Sequence, residues 1–218
     1  MKAVVAANGS LPDLTPFRHL IAEADLVVAA DGGARALLEE GLSLTALVGD
    51  MDSLPPPLLA RWRTTGGDTV VAPTAKDETD LELALTLALD RGARQIIVLG
   101  ALGGRVDHAT ANMLLLAAPL LVGVETSIVD VGTRIVAVRD RVRLAGRPGD
   151  VLSLVPITAR VEGVVTEGLL YPLCSETLRL GVPRGVSNVF VQDVATVQVA
   201  EGLLLAMHAW ADERTLAW

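Results

Sequence analysis

The chain has a single cysteine, Cys174, among 218 residues, so no intramolecular disulfide can form and a reducing, cytoplasmic setting suits it. No neighbouring residue marks an activating environment, and the thiol reads as a small buried hydrophobe instead of a nucleophile. Aromatic residues make up only 3%. The core must therefore be built from Ala, Val and Leu, and the stacking platforms that hold single-stranded nucleic acids are not to be expected. Clustered Lys and Arg are scarce too, and a formal net charge of −8 argues against any nucleic-acid partner. No apolar run reaches the roughly twenty residues needed to cross a bilayer, so no membrane association is expected. Met113 to Val124 is apolar but carries Pro119 and reads as a buried helix end entering a strand or loop, while Ala3 to Ala7 is too short for a signal-peptide core. A Gly-x-x-x-x-Gly-Lys-Ser/Thr phosphate loop is also missing, which disfavours an ordinary P-loop kinase.

What is present is a core-rich chain, 51% apolar, with a change of texture near residue 125. Before it, Val/Ile/Leu/Ala runs at 3–7, 26–30, 46–49, 69–72 and 95–99 end in Gly, Asp, Asn or Pro, the pattern of strands buried on both faces. Helical patterns lie between them at Phe17 to Ala24, Ala34 to Glu40, Pro55 to Thr64 and Thr79 to Arg91. The last has Thr79 and Glu82 at capping-box spacing and Gly92 to end it. Strand alternating with helix predicts an α/β domain with a parallel sheet over 1–125. From 126 to 218 short β-like runs at 126–130, 134–138, 151–155, 160–165, 189–191, 194–199 and 203–207 predict a smaller all-β sandwich.

The chemistry lies in the polar clusters that follow the first-half strands: Asp31-Gly32-Gly33, Gly49-Asp50-Met51-Asp52-Ser53, Lys76-Asp77-Glu78-Thr79-Asp80 and Gly103-Gly104-Arg105-Val106-Asp107-His108. Loops leaving the carboxyl ends of parallel strands converge on one crevice, so carboxylates on successive loops can meet there. Asp50 and Asp52, one residue apart, repel each other unless a cation or donors compensate them, which points to a metal; the plainer alternative is that one caps the following helix. Asp31 serves equally as a turn residue, and Asp77 and Asp80 equally as first-turn acids that complement a helix dipole. Lys76 and the Gly103-Gly104-Arg105 turn offer cations and backbone donors to phosphate oxygens. His108 reads as a positioning or capping residue, because nothing pairs it with a nucleophile. Magnesium, which takes oxygen ligands and keeps waters, is the cation such a set suits.

In this order the four clusters resemble the thiamine pyrophosphokinase family. The second half adds Gly168-Leu169-Leu170-Tyr171-Pro172-Leu173, Thr177-Leu178, Gly181, Gly185-Val186-Ser187-Asn188 and Gly202-Leu203-Leu204, so the likeness spans nearly the whole chain. Met51 stands where Phe is common, and Leu170-Tyr171 where some members have Lys-Trp. The resemblance implies a catalytic α/β domain that binds nucleotide and Mg²⁺, a β-sandwich that binds thiamine and serves dimerisation, and a homodimer. It implies that ATP and thiamine give AMP and thiamine diphosphate with Mg²⁺. Asp50, Asp52 and Asp80 would hold the metal, with Asp77 among the catalytic carboxylates. Asp31, Gly32, Gly33, Lys76, Gly103, Gly104, Arg105, Asp107 and His108 would serve ATP and its phosphates; Ser187, Asn188 and Tyr171 would serve thiamine. Two alternatives compete: a Mg²⁺-dependent pyrophosphokinase acting on a hydroxymethylpterin, and a non-catalytic thiamine or nucleotide sensor.

Overall fold

The computed structural model describes residues 1–11, 13–71 and 77–211, and the chain divides into two compact units, Met1–Asp130 and Val131–Trp218. The first holds strands β1 (Lys2–Ala6), β2 (Leu26–Ala30), β3 (Ala46–Gly49), β4 (Asp68–Val71), β5 (Gln95–Leu99) and β6 (Glu125–Asp130). They run parallel in the order β6-β5-β1-β2-β3-β4. Helices α1 (Arg18–Ala22), α2 (Gly33–Glu39), α3 (Pro56–Thr65), α4 (Asp80–Asp90) and α5 (Val106–Leu115) connect them. Strands β2 and β3 are buried along their whole length, as two-sided cover demands. After β1 the chain builds outward through β2, β3 and β4, then returns to lay β5 on the other flank of β1. The strand order therefore reverses between β1 and β5, where open α/β sheets place their ligand crevice.

Helix α4 shows how its sequence fixes it. Thr79 Oγ1 accepts a hydrogen bond from the Glu82 N–H at 3.2 Å, closing the first turn. Leu81, Ala84, Leu85 and Ala88 form the buried face, each leucine contributing on the order of 1.5–3 kcal/mol. Gly92, at φ 90°, ends the helix in the left-handed region.

Strand β4 departs from the expectation for 69–72. Among the described residues it pairs with β3 alone, at the sheet edge, and all four of its residues are exposed. Trp62 anchors it from α3, donating Nε1–H to Thr69 Oγ1 at 2.9 Å. Arg91 adds an ion pair to Asp68 at 2.7 Å.

The second unit is antiparallel. Its strands are β7 (Thr133–Val138), β8 (Arg141–Ala145), β9 (Val151–Pro156), β10 (Arg160–Glu167), β11 (Cys174–Arg179), β12 (Asn188–Val189), β13 (Val194–Gln198) and β14 (Leu204–Ala209). One layer runs β12-β9-β14-β7 and the other β11-β10-β13-β8. Alternate residues of β9, Leu152, Leu154 and Pro156, are buried, and Leu152 and Leu154 join Leu144, Val161, Val164, Phe190, Val197 and Leu204 in the core. Within that unit His208 is fully buried and its Nε2 lies 2.9 Å from Asp150 Oδ2.

Three expectations are corrected here. Residues 126–130 lie in β6, which pairs in parallel with β5 and extends the first sheet. Strands β8 and β11 were not anticipated, because as edge strands of their layer they carry charged or polar residues on an exposed face. Cys174 starts β11 and is exposed, not buried, since its neighbours there face solvent.

Candidate active site

At the carboxyl end of β2 the chain continues the ladder for one more step, Asp31 N–H donating to Val48 O at 2.7 Å. It then turns through a left-handed Asp31, φ 47°. Aspartate tolerates that region better than most residues. The side chain is buried, 4% exposed. Asn8, in the loop after β1, donates Nδ2–H to Asp31 Oδ2 at 3.2 Å. Asp31 Oδ1 is buried with no hydrogen-bond partner.

Gly32 and Gly33 owe their identity to close packing. A Cβ on Gly32 would stand 2.1 Å from Asn8 Oδ1, and one on Gly33 2.2 Å from Ala6 O of β1. Bare backbone there lets α2 begin directly against the central strand.

The loop after β3 supplies the second and third carboxylates. Met51 is left-handed at φ 67°, and Asp50 Oδ1 accepts the Asp52 N–H at 3.2 Å. Ser53 donates its hydroxyl to Asp52 Oδ1 at 3.0 Å. Asp31, Asp50 and Asp52 each bring a carboxylate oxygen within 4.8 Å of the others. A Cβ on Gly49 would lie 3.0 Å from Asp31 Cβ and 3.3 Å from Asp80 Oδ1, so Asp80, the first residue of α4, borders the same spot. Three carboxylates this close repel one another, and the buried orphan oxygen of Asp31 lacks compensation. A hard divalent cation satisfies both demands, and these oxygen donors fit one.

On the other side of β1 its loop is zipped to the loop after β5, with Gly9 N–H donating to Gly100 O at 2.8 Å and Ser10 N–H to Leu102 O at 3.2 Å. Gly103 and Gly104 are both left-handed, at φ 79° and 66°, and lead to Arg105 at the start of α5. Its guanidinium grips Asp107 through Nε at 3.1 Å and Nη2 at 2.6 Å. Those bonds, helped by the His108 N–H, hold Asp107 at about 2, and Asp107 in turn raises Arg105. Both side chains are well exposed, so this ion pair stands in open solvent. Asp77 and His108 are exposed. Lys76 lies outside the described residues.

In the second unit Ser187 is exposed and left-handed, φ 61°, and its N–H donates to Ser153 Oγ at 3.1 Å. Asn188 is 8% exposed and reads the backbone of Tyr171: Oδ1 accepts the Tyr171 N–H at 3.1 Å and Nδ2–H donates to Tyr171 O at 2.7 Å. Its amide thus fixes the Tyr171 loop, while Tyr171 is itself 64% exposed. Asn8 and Ser153 were not picked out from sequence. Asn8 had one available signal, a polar residue directly after a buried strand.

The sequence profile described as "Thiamin pyrophosphokinase, catalytic domain" matches residues 17–128, and that described as "Thiamin pyrophosphokinase, vitamin B1 binding domain" matches residues 139–204. The chain belongs to the thiamine pyrophosphokinase family. It is similar to the thiamine pyrophosphokinase of Bacillus subtilis (strain 168), 28% identical over 209 residues that make up 91% of this chain and 92% of that protein. The crystal structure of a Bacillus subtilis thiamine pyrophosphokinase superposes with a TM-score of 0.85 at 25% identity, covering 96% of this chain and 99% of that one. That of a Geobacillus thermodenitrificans thiamin pyrophosphokinase gives 0.84 at 28% identity, covering 99% and 100%. The family's catalytic part thus contains the three-aspartate cluster, and its vitamin-binding part contains Tyr171, Ser187 and Asn188. No helix among the described residues is long and apolar enough to cross a membrane.

Proposed function

We propose that the protein is a thiamine diphosphokinase, transferring the β- and γ-phosphoryl groups of ATP together to the hydroxyl of thiamine and releasing AMP. The observation that carries this reading is the convergence of Asp31, Asp50 and Asp52, with an unpartnered buried oxygen, in a chain matched by both parts of the family. The vitamin-binding match argues against a pterin acceptor. Several mutually repelling carboxylates are more than a pure sensor needs.

Mg²⁺ is the proposed metal, held by Asp50 and Asp52 with Asp31, and with Asp80 beside them. When bound it would neutralise charge on the transferring phosphoryl oxygens. The chain's own groups do the rest. Arg105, Lys76 and the Gly103-Gly104 backbone bind phosphates, Arg105 exchanging Asp107 for the nucleotide. Ser187 and Tyr171 face thiamine, and Asn188 sets the loop they work with. The hydroxyl proton passes to one of Asp52, Asp77 or Asp80. No covalent protein intermediate is required, because placement and charge stabilisation suffice for this class of transfer. A cytoplasmic location belongs to the same proposal, supported by the lone cysteine.

The nucleotide product tests the geometry. With ATP labelled at the β-phosphate, label is expected to enter thiamine diphosphate in a single turnover, with AMP formed in equal amount. Stoichiometric ADP, or thiamine monophosphate as an obligatory intermediate, would refute the assignment.

A homodimer is also proposed. None of the ten residues of α5 is buried, although Val106 and Leu114 lie on it at 80% and 49% exposure, and apolar side chains left so open call for cover. Light scattering at micromolar concentration is expected to give twice the chain mass, and Leu114→Glu to shift it toward the monomer. A monomeric, fully active wild-type protein would sink the dimer.

A further inference from the structure

Asn8 lies outside every motif that marks the site, yet it touches the carboxylate at its centre. Its amide has a settled orientation. Nδ2–H donates to Asp31 Oδ2 at 3.2 Å, whereas a flipped amide would set a carbonyl oxygen against a carboxylate oxygen. The other edge of the amide, Asn8 Oδ1, packs over Gly32, where a Cβ would be 2.1 Å away. The loop that carries Asn8 is stapled to the β5 loop by the Gly9 and Ser10 N–H groups. The amide, itself exposed, thus lies between Gly32 and Asp31 and presents a donor to a buried acid.

The consequence falls on Asp31. One of its oxygens has a protein donor and the other, buried Oδ1, has none, although the residue stands within 4.8 Å ligand spacing of Asp50 and Asp52. A carboxylate with both oxygens unrestrained could rotate, bind an ion through either or both, or turn away from its like-charged neighbours. Asn8 removes that freedom.

We infer that Asn8 is a positioning residue for the cation site, holding Asp31 by Oδ2 so that Oδ1 is the oxygen kept for the metal. Partners that orient a ligand in this way commonly matter about 10–100-fold to metal affinity or activity. The inference rests on the metal reading above, and its test separates the two.

Mn²⁺ binding to the full-length protein, without nucleotide or thiamine, is measured by the loss of the free-ion electron paramagnetic resonance signal. Asn8→Leu keeps much of the side-chain shape and removes the donor; Asn8→Ser is read in its place if the leucine variant does not fold. The variant is expected to bind Mn²⁺ about tenfold or more weakly. Its thermal unfolding midpoint without metal is expected to fall modestly, because Asp31 loses its protein donor, while the fold persists. The Mg²⁺ concentration for half-maximal turnover should rise by a similar factor, with added Mg²⁺ recovering much of the rate. Equal Mn²⁺ affinity in variant and wild type would overturn the role of Asn8 and leave the cation site standing. A wild-type protein that binds no Mn²⁺, with or without ATP, would remove the cation site itself and this inference with it.

Discussion

Asp50→Asn is expected to lower turnover by about 10²–10³-fold, the loss seen when one preorganised charge-stabilising group is removed, without loss of the fold. The asparagine carbonyl can still accept the Asp52 N–H that Asp50 Oδ1 accepts at 3.2 Å, so the turn keeps its bond. One of three carboxylates crowded within 4.8 Å loses its charge. Activity and stability should therefore separate, with turnover falling steeply while the protein stays folded. Near-wild-type rates at ordinary Mg²⁺ would take Asp50 out of the site.

Gly33→Val is expected to do the reverse and damage the fold. A Cβ at position 33 meets Ala6 O at 2.2 Å, Ala6 C at 2.7 Å and Ala7 O at 2.8 Å. All three atoms are backbone of β1 or of the residue just beyond it, and β1 is paired on both sides, with β2 and with β5. Nothing flexible can yield. Overpacking of this kind costs about 3 kcal/mol or more, roughly 6–12 °C in the unfolding midpoint for a chain of this size. A variant that melts with the wild type would show that α2 can lift off β1 cheaply.

The parts of the fold that sequence discloses are those whose burial is local. Strands β2, β3 and β5 are unbroken apolar runs because both faces are covered, and α4 carries its cap and its buried face in consecutive letters. Strands β8 and β11 escaped notice because edge strands with an exposed face look like polar loop. Strand β6 was grouped with the second half for another reason: its residues state that it is a strand, but its parallel pairing with β5 depends on a segment thirty residues earlier. The site follows the same division. Asp50 and Asp52 declare themselves by adjacency, whereas their approach to Asp31 depends on β2 and β3 lying side by side, with Val28 opposite Ala46 and Ala30 opposite Val48. The hold of Asn188 on the Tyr171 loop was not legible, since its hydrogen-bond partner there is backbone and carries no side-chain signal.

Asp31, Met51 and Ser187 share a left-handed backbone, which for residues with a Cβ costs on the order of 1–2 kcal/mol each. Each stands in a loop proposed above to serve metal or thiamine. An engineer seeking heat resistance would find glycine attractive at these positions, because it adopts the same backbone without that cost. Where the residue's role is the turn itself, as at Met51, such a change is a reasonable route to a sturdier enzyme. At Asp31 it would delete a proposed metal ligand, so a screen scored only on melting temperature would favour variants expected to outlast the parent and lose activity.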